Sequence, residues 1–412
     1  MYNIDGCDNM EKVKIDKLDS FGRGITRIDD KICFVEGALP LEECEIEIIN
    51  EKKKYIEAKN INILKESEYR IMPLCPYYEK CGGCHLMHMD KKSKLIFKEE
   101  KINDLLNKFS NLKNINIKDI LCGKEFYYRN KLTLHGFNNK FGLYEKNSNR
   151  LVLIDECVIS NELINETIKR LKEYFNNSND LIEEIIIKTT SLNEVMLIIN
   201  GNININDVKN NFNDINSIYV NNNLILGKEY IVEKINDLEF YIYKDSFFQV
   251  NYEMCKIMYN KIIDFYKEHN NLNVLDLYCG TGTIGMLISK YCKSVIGVEI
   301  NSDAIASAKK CKVLNKIDNI EFFLGKVEDN IDRFSDIDSI VVDPPRSGLD
   351  KHTVDTIIKI NPESIIYVSC DPATLARDLN ILKDFYSIVE IQPIDMFPNT
   401  YHVENICLLV RN

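Results

Sequence analysis

Three short segments in the last third of this 412-residue chain hold side chains that could do chemistry together. Asp343-Pro344-Pro345-Arg346 follows the apolar run SIVV. Two consecutive prolines hold the backbone extended and remove two donors, which leaves the Asp343 carboxylate to project into whatever crevice lies beyond. Ser369-Cys370-Asp371-Pro372 ends the run SIIYV and precedes a helical pattern, ATLARDL. A thiol at the carboxyl end of a strand and the start of a helix is expected to have its pKa lowered. Glu404, in Tyr401-His402-Val403-Glu404-Asn405, opens the last strand-like run. The bland alternatives are a strand-ending turn for Asp343, a core thiol for Cys370 and a surface carboxylate for Glu404. The second has weight in a chain with 14 cysteines.

A thiol, a carboxylate and a neighbouring ligand loop suit one reaction well. Carbon 5 of uracil is a weak nucleophile. A thiolate that adds to carbon 6 turns the ring into an enolate that is nucleophilic at carbon 5, so covalent catalysis splits one hard step into easier ones. The carbon-5 proton must then leave before the thiol is expelled, and Glu404 is the candidate base. A base locked in a helix must also leave its stack to reach Cys370.

Upstream, Asp276-Leu277-Tyr278-Cys279-Gly280-Thr281-Gly282-Thr283-Ile284-Gly285 joins an apolar strand to a helix. Glycines there allow a tight turn and a close backbone approach to a ligand, and Glu299 at the end of the next strand can accept a ribose's hydroxyls. Alone, this pattern fits a nicotinamide dehydrogenase almost as well as a methyltransferase. The DPPR segment downstream favours the methyltransferase.

The elements that must position these residues alternate. From about residue 241, apolar strands and amphipathic helices succeed one another: NVLDLYCG, TIGMLISKYC, SVIGVEI, DAIASAKKCKVLN, SIVVDPP, SIIYVSC and ENICLLV among them. That order predicts a doubly wound α/β sheet covered on both faces. Residues 1–65 read instead as short strands punctuated by Gly22, Gly24, Gly37 and Pro40, a small oligonucleotide-binding type of β-barrel. Residues 66–240 form a mixed α+β middle, with helices expected over KKSKLIFKEEKINDLLNKF and near 161–175. In Phe126-Tyr127-Tyr128-Arg129-Asn130-Lys131, aromatics alternate with cations. A strand would place Tyr127, Arg129 and Lys131 on one face, where rings stack bases and cations meet phosphates.

The middle region also holds Cys75-x5-Cys81-Gly-Gly-Cys84, three thiols close enough to share a metal or cluster. Cys157 is the choice for a fourth ligand, with Cys122 as its rival. His85 and His88 keep zinc open, although structural zinc favours paired C-x2-C knuckles.

The formal net charge is -11, yet residues 91–150 carry 14 Lys/Arg against 6 Asp/Glu. A basic stretch in an acidic chain is a footprint for a polyanion. The barrel region is not basic, with 11 Lys/Arg against 14 Asp/Glu. No apolar run reaches the ~18 residues of a membrane-spanning helix, and MYNIDGCDNMEK has no export-signal pattern. The expected setting is cytoplasmic.

Taken together, the motifs resemble the bacterial RNA 5-methyluridine methyltransferases over the whole chain. DLYCGTGTIG, DPPRSGL, YVSCDPATLARDL, HVENICLL and FFQVN are similar to that family's motifs. The resemblance implies that Gln249, Tyr278, Thr283, Glu299 and Asp343 contact S-adenosylmethionine, that Cys370 is the nucleophile and Glu404 the base. C-x5-C-G-G-C with a later cysteine is similar to the members that methylate 23S ribosomal RNA and bind a 4Fe-4S cluster, here through Cys75, Cys81, Cys84 and Cys157. Ser20-Phe21-Gly22-Arg23-Gly24-Ile25 and Phe34–Pro40 resemble the RNA-binding TRAM barrel. A monomer acting on RNA, not on DNA or a membrane, is implied. The competing readings are a transfer-RNA uridine-54 methyltransferase, a cluster-dependent nucleotide oxidoreductase and an RNA-binding protein without turnover.

Overall fold

A computed structural model of the chain describes residues 10–110, 112, 115–326 and 336–412. The first nine residues of the expected barrel region lie outside the described residues. The chain divides into two compact units. One runs to Lys101 and takes in Asn399–Tyr401, and the other comprises Ile102–Pro398 and His402–Asn412.

In the first unit, six strands pair in the spatial order Met10–Lys14, Glu43–Glu51, Tyr55–Lys65, Lys31–Glu36, Gly24–Ile28, Lys17–Leu18. All pairings are antiparallel except Lys31–Glu36 against Tyr55–Lys65. Alternation does the sorting: Cys33, Val35, Cys44, Ile46, Ile56 and Ala58 point inward and make one core. Arg70 clamps the buried Glu42 with two hydrogen bonds, 2.5 and 2.9 Å.

The second unit holds two seven-stranded sheets. One has the order Asn223–Gly227, Ser217–Val220, Val195–Asn202, Leu181–Thr189, Lys131–Phe137, Lys140–Tyr144, Leu151–Leu153. The helix Glu162–Asn176 buries Ile164, Ile168, Leu171 and Phe175, an i, i+4, i+7 stripe with one more turn. A hairpin, Tyr230–Ile235 with Leu238–Tyr243, adds Ile235 and Phe240 to the core of the following sheet. The expected division at residue 240 therefore falls within a strand.

The last sheet has the order Ile320–Leu324, Ser294–Glu299, Asn273–Leu277, Ser339–Val342, Ser364–Ser369, Glu404–Arg411, Tyr386–Ile394. The first five strands are mutually parallel, and Glu404–Arg411 is antiparallel to both neighbours. This is the doubly wound α/β sheet that the alternation of strands and helices predicted. Its central strands are largely apolar because helices cover both faces. Order reverses at Asn273–Leu277, so a crevice opens beyond the carboxyl ends of that strand and its neighbour Ser339–Val342. No helix among the described residues is long and apolar enough to cross a membrane.

Candidate active site

The glycine-rich loop begins where Asn273–Leu277 ends. Tyr278 takes φ 59° and Gly282 φ 75°, both left-handed. For Gly282 the conformation and the space both demand glycine, since a Cβ there would lie 2.4 Å from the Phe322 ring. Buried Asp276 accepts the Gly285 N–H at 3.0 Å through one oxygen, while its other oxygen has no partner among the described residues. Burial pushes the Asp276 carboxyl up to about 8, and Asp343 and Glu299 add to the effect. Glu299 reaches back across the turn. One of its oxygens accepts the Gly280 N–H at 3.1 Å, and the other accepts the Asn301 N–H at 2.8 Å. The Thr283 hydroxyl sits 3.2 Å from that of Thr281, and Tyr278 hydrogen-bonds Thr353 at 3.0 Å. Tyr278, Thr283 and Glu299 thus all belong to, or brace, one turn.

Asp343 follows directly on the strand that pairs with Asn273–Leu277, and its N–H reaches the Leu277 carbonyl at 3.4 Å. On the next strand, Ser369 lies opposite Asn405 in the antiparallel register. The pair immediately outward is Cys370 and Glu404, so the thiol and the carboxylate stand at adjacent strand ends. Buried Glu404 has its carboxyl raised to about 8, first by burial and then by Asp343, with Arg346 opposing. Asp343 is raised by burial to about 7.

The Cys370 thiol departs from the expected direction. It is pushed up to about 12 by burial, then by Glu404 and Asp343, with Arg346 pulling down and Asp371 pushing up. The helix Pro372–Leu382 does start beside it. However, Asp371 caps that helix, accepting the Ala373 and Thr374 N–H groups at 2.8 and 3.1 Å. The amides that would favour a thiolate are already spent on a carboxylate, and three acidic side chains outweigh them.

Gln249 lies in the segment between the hairpin and the helix Tyr252–Glu268. Asn130 holds that segment, donating its amide N–H to the Val250 carbonyl at 2.9 Å and its side chain to the Gln249 carbonyl at 3.2 Å. Sequence reasoning missed Asn130; its only signal was its place within the aromatic and cationic run. That run is not a strand. Tyr127 has φ 56° and stands half exposed, and the strand begins only at Lys131. A left-handed residue breaks the alternation, so the one-face placement of Tyr127, Arg129 and Lys131 does not hold.

In the first unit, Cys75, Cys81 and Cys84 sit in a run of turns, with Cys81 buried and the other two half-buried. The Gly83 N–H donates to the Cys81 sulfur at 3.4 Å. Three thiols within ten residues, one receiving an amide proton, are donors suited to an iron–sulfur cluster. Among the described residues, no three His, Cys, Asp or Glu side chains converge to hold a metal ion. Cys157 belongs to the second unit, where its N–H is bound by Asn165 at 2.9 Å, and Cys122 is exposed.

Residues 90–412 match the family described as tRNA (Uracil-5-)-methyltransferase, and residues 10–61 match the TRAM domain. The chain is 36% identical to an uncharacterized RNA methyltransferase of Clostridium tetani, over 94% of this chain and 93% of the relative. It is 34% identical to another from Caldanaerobacter subterraneus, over 97% and 98% respectively. Among solved structures, the Pyrococcus abyssi tRNA (uracil-54, C5)-methyltransferase in complex with S-adenosyl-L-homocysteine is 28% identical. It aligns with a TM-score of 0.81 over 97% of this chain and all of that one. The chain therefore belongs to the tRNA (Uracil-5-)-methyltransferase family and is an RNA methyltransferase with a TRAM domain.

Proposed function

We propose that the chain transfers the methyl group of S-adenosylmethionine to carbon 5 of a specific uridine in 23S ribosomal RNA, with Cys370 as nucleophile and Glu404 as base. The observation that carries this reading is the adjacency of Cys370 and Glu404 at neighbouring strand ends, with Asp343 on the next strand of the same edge. The donor supplies an electrophilic methyl group. Gln249, Tyr278, Thr283, Glu299 and Asp343 are assigned to hold it at the glycine turn.

The Cys370 thiol first loses its proton to Asp343, whose carboxyl is raised to about 7, so Glu404 is left to take a later proton. The sulfur then bonds to carbon 6, and the electron pair of the ring double bond moves into an enolate. Carbon 5 takes the methyl group as its bond to sulfur breaks, leaving S-adenosylhomocysteine. Glu404 removes the proton from carbon 5. The double bond reforms, the sulfur–carbon bond breaks, and Cys370 departs as thiolate. A base near 8 is well matched to this last step at neutral pH.

The ribosomal target and a 4Fe-4S cluster at Cys75, Cys81 and Cys84 are read from the family resemblance; the closely spaced thiols support the cluster, while among the described residues no three such ligands converge as placed. The enzyme is read as a cytoplasmic monomer. The division into a barrel over 1–65, a cluster-bearing middle over 66–240 and a catalytic part over 241–412 is likewise proposed. A transfer-RNA uridine-54 target is the second reading, favoured by the Pyrococcus relative.

Mass-spectrometric mapping of 5-methyluridine in ribosomal and transfer RNA from a strain lacking the gene separates the two. Loss from 23S RNA alone supports the first, and loss from transfer RNA alone overturns it. In vitro, Cys370→Ala is expected to abolish methylation while still binding S-adenosylhomocysteine. Full activity in that variant would remove the covalent mechanism.

A further inference from the structure

The strand Leu181–Thr189 lies in the middle of its sheet, and Lys188 near its end is only 4% exposed. A buried ammonium is costly unless its charge is met. No carboxylate pairs with Lys188 among the described residues. Its Nζ instead donates to three backbone carbonyls, those of Tyr243 at 3.0 Å, Lys244 at 2.7 Å and Ser246 at 3.1 Å. An ammonium has three donors, so all are spent on one four-residue turn.

That turn leads straight into Phe247-Phe248-Gln249-Val250. The far side of the segment is held from the same strand end. Thr189 donates its N–H to the Asn130 carbonyl at 2.8 Å, and Asn130 in turn holds Gln249 and Val250. Two neighbouring residues thus secure the approaches to Gln249 from both directions. The arrangement is expensive. Lys131 lies directly opposite Lys188 in the register, and like charges across a strand pair are destabilising. Burial and Lys131 push the Lys188 ammonium down to about 7, with Asp245 opposing and Lys244 adding. An apolar residue would pack in a sheet interior at lower cost, but it would take a donor from each of the three carbonyls, and that of Tyr243 would keep only the Ser246 N–H at 3.1 Å among the described residues.

We propose that Lys188 is a positioning residue for methyl transfer, one whose ammonium fixes the turn Tyr243–Ser246 and thereby sets the place of Gln249 for the donor. The inference rests on the reading of Gln249 as a donor contact.

The test uses the full chain with S-adenosylhomocysteine as probe, by calorimetry, together with amide exchange over residues 244–250. Two variants are compared, Lys188→Met, which removes the donors, and Lys188→Gln, which keeps an N–H donor group without charge. In each folded variant, affinity is expected to fall ~tenfold or more. Exchange over 244–250 should speed up, while the helix Tyr252–Glu268 stays protected. In turnover the donor KM should rise with kcat little changed, a split that general destabilisation would not produce. Wild-type affinity and exchange in either folded variant overturns the proposal, and Lys188→Gln decides alone if Lys188→Met does not fold. Gln249→Ala is measured alongside. If it binds the probe like wild type, the donor-site reading fails, and the exchange data still decide whether Lys188 fixes the segment.

Discussion

Single side chains in this crevice are governed by burial more than by pairing. Asp276, Asp343 and Glu404 all have carboxyls raised to between about 7 and 8, and the thiol of Cys370 is raised with them. A thiol near 12 is a poor nucleophile until a neighbour takes its proton. Alkylation of Cys370 in the free enzyme should therefore be slow at neutral pH and climb through about pH 9 without levelling. Iodoacetamide labelling read by peptide mass spectrometry checks this, and a plateau near pH 7 would refute it. Glu404 makes the complementary prediction. Glu404→Gln should stall release and leave a protein–RNA adduct that survives denaturing gels, and its absence would remove Glu404 as the base.

Asp276 offers a stability test with a definite sign. Its folded pKa of about 8 lies above its ordinary 3.8, so its contribution is fully present below about pH 4 and is lost as pH rises through about 8. Asp276→Asn keeps an acceptor for Gly285 without the charge. Its Tm should exceed wild type by at least ~2 °C at about pH 8.5, and the gain should shrink at about pH 5. Calorimetry at the two pH values decides it.

At the scale of elements, the site is built from strand ends and the turns they enforce. Gly282 combines φ 75° with a Cβ position filled by Phe322, so Gly282→Ala carries both a backbone and a steric penalty. A loss of ~1–3 kcal/mol is expected, with weaker donor binding. Adding Phe322→Ala should relieve only the steric part, and full recovery would show that the left-handed backbone costs little.

Much of this level was legible in the sequence. The strand–glycine–helix unit, DPPR after SIVV and SCDP after SIIYV fell at strand ends because periodicity and prolines mark them locally. The neighbour of each strand was not legible. Nothing in ENICLLV says that it runs antiparallel and wedges between Ser364–Ser369 and Tyr386–Ile394, yet that placement alone brings Glu404 beside Cys370. The thiol's pKa was misjudged for the same reason: the helix start is local information, while the burial that raises the thiol most, and then Glu404 and Asp343, come from distant segments. Tyr127 misled because an aromatic-rich run reads as strand even where the backbone turns left-handed.

For the whole molecule, the question is how an acidic protein engages a polyanion. Net charge is -11, with an excess of cations between residues 91 and 150. RNA affinity should fall steeply with salt, each neutralised phosphate adding ~0.7 to the logarithmic slope. Replacing Lys140 and Lys146 by Gln should flatten that slope and leave S-adenosylhomocysteine binding unchanged. Filter binding over a salt series measures it, and an unaltered slope would take those two lysines out of the RNA footprint.

The insertion of Glu404–Arg411 between two earlier strands also bears on biosynthesis. On the proposed roles, a ribosome-bound chain that has not yet released this segment has the Cys370 thiol but lacks Glu404, the acceptor of the carbon-5 proton. It could not complete the elimination that frees its substrate. By those roles, a growing polypeptide that reacted before this strand arrived would stay bonded to its RNA, the end state also expected of Glu404→Gln.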